Sequence, residues 1–135
     1  MRRSNNTLSW ATAGCAALLA GCMVAAAGAG AGGGIYFTQR GVESVVPATV
    51  ERAATATTRA FGELKVHQTK SQVEQGEDGE KTVIEGTAGD REVTVSLKAE
   101  GKGTTRVQVV AKRTAVTWDK EFARSVLDKI VANSR

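Results

Sequence analysis

Val93, Val95, Leu97 and Ala99 alternate with Glu92, Thr94, Ser96 and Lys98, a period of two that predicts a strand with one face in a core. Val107, Val109 and Ala111 repeat the pattern against Arg106, Gln108 and Lys112, and Glu100–Thr104 predicts the hairpin between the two strands. Upstream, residues 81–87 read as another strand, set off by the tight reversal Ala88-Gly89-Asp90-Arg91 and by the turn Gln75–Glu80. Residues 64–74 start with Leu64 and Val66 and then turn polar, which suits an edge strand. One apolar and one polar face along each strand is the mark of an antiparallel sheet.

Two stretches carry helical spacing instead. Val50, Ala53, Ala54, Thr57, Ala60, Phe61 and Leu64 recur every three or four residues behind Pro47, whose missing N–H suits a first turn. Phe122, Ala123, Val126, Leu127, Ile130 and Val131 form a second stripe, with Thr117 as the expected cap. Ile35–Val46, broken at Gly41, is a short strand or an extended lead-in. The expected fold is α+β and two-layered: a four-stranded antiparallel meander flanked by two helices.

The N-terminus has a different texture. Arg2 and Arg3 precede residues 8–21, mostly apolar and small, which have the length of a signal-peptide h-region. The segment closes on Leu19-Ala20-Gly21-Cys22, a pattern that looks like a bacterial lipoprotein signal, with Cys22 taking the lipid (palmitate and related acyl chains) through its sulfur. Cys15 has too little hydrophobic sequence ahead of it to serve. The expected organisation is residues 1–21 as signal peptide, 22–34 as lipidated cysteine and Gly/Ala tether, and 35–135 as the domain. The alternative is an uncleaved span, since residues 8–37 hold no charge. Residues 24–34 themselves read either as a tether or as a small-residue helix. Both N-terminal readings put the domain outside the cytoplasm. With Met23 rather than Asp after the cysteine, the resemblance to Gram-negative lipoproteins implies, for such a host, the outer membrane with the domain facing the periplasm.

Composition narrows the functions. Of 18 basic side chains two, Arg2 and Arg3, fall in the leader, leaving 16 against 14 acidic ones. Such balance lacks the clustered charge that nucleic acid requires. Both cysteines precede the domain, which excludes a disulfide or a cysteine-ligated zinc within it. His67 is the only histidine and stands on a polar strand, so no catalytic set, metal or cofactor is expected. Glu74, Glu77, Asp78 and Glu80 surround a turn without calcium-loop spacing, the pattern of a solvated hairpin tip. The candidate interaction residues are Trp118, the one tryptophan after the leader, and Lys98, Arg106 and Lys112 on the polar sheet face.

The tract AAAGAGAGGGIYF, the helix behind Pro47, the meander and the terminal WDKEFARSVLDKI together resemble small bacterial lipoproteins built on a domain of unknown function of the DUF3568 type. That resemblance implies a cell-envelope location and carries over no catalytic or binding residues. The expectation is a non-enzymatic protein, held to the membrane by its lipid, that binds an envelope protein or assists envelope assembly. The rival is a small-molecule or lipid-binding module with a cavity between helices and sheet.

Overall fold

The computed structural model describes residues 34–135, and Cys22, the leader and most of the Gly/Ala tract lie outside them. The chain forms β1 (Tyr36–Phe37), β2 (Val42–Val46), α1 (Val50–Glu63), β3 (His67–Gly76), β4 (Gly79–Ala88), β5 (Arg91–Gly101), β6 (Thr104–Thr114), β7 (Thr117–Trp118) and α2 (Lys120–Asn133). Among the described residues the architecture is α+β, with two helices and one sheet.

The four strands read from the sequence are β3 to β6, and they form a meander. A sheet of four strands is nonetheless too narrow. The sheet has seven antiparallel strands in the order β1-β2-β6-β5-β4-β3, with β7 also paired to β6. Ile35–Val46 is no lead-in: β2 pairs with β6 from Val42↔Val109 to Val46↔Thr105, and β1 pairs with β2. The physical reason is non-local. Only β6, some sixty residues later, offers the backbone that β2 needs. Gly41 allows the approach, since a Cβ there would stand 2.0 Å from the Val109 carbonyl oxygen.

One face of the sheet is covered. α1 carries the chain from β2 to β3 at the far edge and lies over β4 and β5, while α2 lies over β2 and β6. Between the layers, Val42, Val46, Val93, Val95, Leu97, Val107 and Val109 meet Ala53, Ala60, Phe61, Val126, Leu127 and Ile130, all at 0–1% exposure. The polar face is open. Its central row runs Glu43, Gln108, Ser96, Val83, Gln72, in which Val83 is buried although it points away from the helices. Ala99 keeps the predicted face, opposite the buried Thr105, but is exposed at the rim of a depression beside the start of α1.

Helix ends account for two further differences. Thr49, not Pro47, starts α1, its hydroxyl accepting from the Arg52 amide at 3.4 Å. Asp119, not Thr117, caps α2; Thr117 is drawn into β7. α1 stops in a Schellman arrangement: the Val66 N–H donates to the Phe61 carbonyl at 2.8 Å and the Lys65 N–H to that of Gly62 at 3.3 Å. Lys65 holds the left-handed position at φ 56°.

Candidate functional site

The junction between β7 and α2 gathers the most chemically varied side chains of the domain. Its centre is Asp119. The Asp119 N–H donates to the Ala111 carbonyl at 2.8 Å, which fixes the junction against β6. Its Oδ1 accepts from the Phe122 N–H at 3.0 Å and its Oδ2 from Arg91 Nε at 2.8 Å. Arg113 Nε stands 3.4 Å from the same Oδ2. The bond from Arg91 first, then the Phe122 amide at the helix start, holds the Asp119 carboxyl below the usual range. Arg91 is held in turn: its guanidinium lies 4.9 Å from the centroid of the Phe122 ring.

Around this centre a groove of about 600 Å³ opens, walled by Trp118 and Phe122 and edged by Arg113, Lys120 and Ser125. A second depression of about 510 Å³ shares Arg91 and Arg113 and reaches Lys112 and Thr114. Among the described residues, Arg113 makes its one ion pair through Nε and remains half exposed. The Trp118 Nε1 is buried and has no hydrogen-bond acceptor among the described residues. A fixed guanidinium, a freer one and two aromatic walls suit an extended segment with acidic and apolar side chains.

The sequence-derived candidates divide on the structure. Trp118 lines the groove, and Lys112, its register partner across β6 and β7, borders the adjoining depression. Lys112 also pairs with Glu92 at 3.7 Å. Lys98 and Arg106 lie directly opposite each other across β5 and β6, elsewhere on the polar face. Arg106 is occupied there, by Glu100 at 2.6 Å and Glu43 at 2.8 Å, and these anions raise its pKa. The three cations therefore form no common patch. Cys22 lies outside the described residues.

Arg91, Arg113, Asp119 and Phe122 were not legible as a site. Arg91 reads as part of a turn and Phe122 as a stripe residue. The sequence reading placed the cap at Thr117, so the bond from the Phe122 N–H to Asp119 was not foreseen. His67 is exposed on β3. In the acidic turn Glu74 pairs with Lys81 at 3.2 Å and accepts from Gln72, and among the described residues no group of three His, Cys, Asp or Glu is placed to hold a metal. No helix of the described residues is long and apolar enough to cross a membrane.

A family model described as a protein of unknown function (DUF3568) matches residues 6–133. Among curated proteins none matches the chain.

Proposed function

The chain belongs to the DUF3568 family, and from that premise we propose that it is a non-enzymatic interaction protein of the bacterial cell envelope. It is held to the membrane by lipid on Cys22, with the domain in the periplasm and the lipid in the outer membrane. The groove at the head of α2 receives a segment of a partner protein. One observation carries the binding reading: Arg91 and Phe122 are held about Asp119 before any partner arrives, and Arg113 and Trp118 line the same groove. Preorganised side chains lose little entropy on binding, so their contacts convert into affinity.

Photocrosslinking in native membranes tests it. A photoreactive side chain at Ser125 or Thr117 is expected to give a discrete adduct with one envelope protein, and one at Arg59 on exposed α1 surface to give none. Equal adducts from all three positions would reject the groove as the binding surface.

The lipid or small-molecule reading has one observation in its favour. A depression of about 440 Å³ lies between the start of α1 and the sheet, where Val50, Ala54, Val73, Leu97 and Ala99 meet. Extraction of the protein from its membrane with a stoichiometric bound ligand would favour that reading over a protein partner.

A further inference from the structure

Large apolar side chains are buried throughout the domain, with Phe61, Ile84, Leu97, Leu127 and Ile130 at most 2% exposed. Among the described residues Tyr36, Phe37, Val73 and Val116 break that rule, and Tyr36 and Phe37 are the aromatic pair among them. They are 56% and 58% exposed, side by side on the outermost strand. Their register sets them apart: Phe37 lies opposite Val42, which faces the core, and Tyr36 opposite Glu43, which faces the open side. The two rings therefore stand on the two sides of one sheet edge. Cations flank them. Arg124 of α2 lies 5.8 Å from the Phe37 ring centroid, and Arg40 is exposed in the turn that follows β1. Asp128 stands 3.9 Å from Arg124, with both side chains about half exposed, and Glu43 pairs with Arg106.

We infer that this edge, Tyr36 and Phe37 flanked by Arg40 and Arg124, rests on the surface of an anionic phospholipid bilayer. The inference rests on the membrane attachment proposed above and adds to it a fixed orientation of the domain. What points to a bilayer is where the chain outside the structure ends. The described residues begin at Gly34, two residues before Tyr36, and from Ser4 to Gln39 the chain holds no charged side chain. Arg40 is thus the first charge after Cys22. Tyr36 follows Cys22 by 14 residues, so the edge lies within about 50 Å of the acylated sulfur in any conformation. Aromatic rings with arginine beside them favour the headgroup level, where the ring loses water and the guanidinium meets phosphate.

The test uses the full chain, reconstituted into vesicles of phosphatidylethanolamine and phosphatidylglycerol that carry a trace of phosphatidylglycerol with a diazirine near the headgroup. After illumination, mass spectrometry should find lipid adducts on residues 36–40. The double variant Tyr36→Ser, Phe37→Ser should lose about tenfold in that yield, and neutral phosphatidylcholine vesicles should lower it as well. Both rings are exposed, so the variant keeps the core; unchanged thermal unfolding confirms this. Lipid adducts confined to the stretch before Gly34 would overturn the inference, as would crosslinks at Tyr36 and Phe37 to a second copy or another protein. Acyl labelling of Cys22 is read separately. Its absence alongside adducts at residues 36–40 would remove the lipid anchor but leave the edge as a membrane contact, whereas labelled Cys22 with a clean edge would do the reverse.

Discussion

Gly86 shows how tightly single positions are specified. A Cβ at this residue of β4 would stand 2.7 Å from Val66 Cγ1 and 2.9 Å from both Phe61 Cε2 and the His67 carbonyl oxygen. Two of those contacts are with a ring and a backbone that cannot yield separately. Gly86→Ala should therefore destabilise the domain by about 1–3 kcal/mol, measured by urea unfolding. Asp119 is specified by charge. Its depressed pKa means that its stabilisation is complete above the ordinary aspartate value of 3.8 and is lost as pH falls through the lower folded value. Asp119→Ala removes both cap and ion pairs, at a cost of about 1–3 kcal/mol near neutral pH. Asp119→Asn should keep most of the cap and lose the ion pairs. Thermal unfolding across acid pH should show Asp119→Asn converging on the parent protein as the parent's carboxyl protonates, with Asp119→Ala staying below both by the lost cap. Thr105 is a third such position: its hydroxyl donates to the Ala48 carbonyl at 2.7 Å and ties the chain ahead of α1 to β6.

At the scale of elements, α1 ends under strain. Gly62 lies inside the helix with open space where a Cβ would go, and Lys65 takes a left-handed conformation that glycine adopts without steric cost. Gly62→Ala and Lys65→Gly should each stabilise the domain by about 0.5–1 kcal/mol, read as a rise in unfolding midpoint. The strands divide by how their partners are found. β5 and β6 were legible residue by residue, because the alternation from Glu92 to Ala99 and from Arg106 to Lys112 is local and their hairpin is short. For Ile35–Val46 the sequence left a short strand or an extended lead-in open, because Val42–Val46 finds its partner across a helix and three strands. The site failed in the same way. Arg91 and Asp119 meet across 28 residues of chain, a separation no local period reports.

For the molecule as a whole, the proposed design is a filled domain on a short connection to a lipid, with an edge turned to the bilayer and a groove for a partner. Cys22→Ala should abolish incorporation of a palmitate analogue and release or stall the protein, whereas Cys15→Ala should leave labelling intact. Equal labelling of the two variants would reject Cys22 as the site. On the polar sheet face two of the three candidate cations are answered by anions, while Lys98 stands opposite Arg106. Arg106 sits between Glu43 and Glu100, and Lys112 beside Glu92, so opposite charges answer each other across the strands.

By itself the sequence determined the class of the fold, the four long strands, the two apolar helix stripes and the edge character of β3. Periodicity is a local property, and burial on one face selects it residue by residue. Tertiary structure alone decided that the sheet has seven strands, that Asp119 rather than Thr117 starts α2, and that Arg91, Arg113, Trp118 and Phe122 share a groove. Those outcomes depend on which distant backbone or charge completes a hydrogen bond, and such partners are chosen only when the layers close over one another.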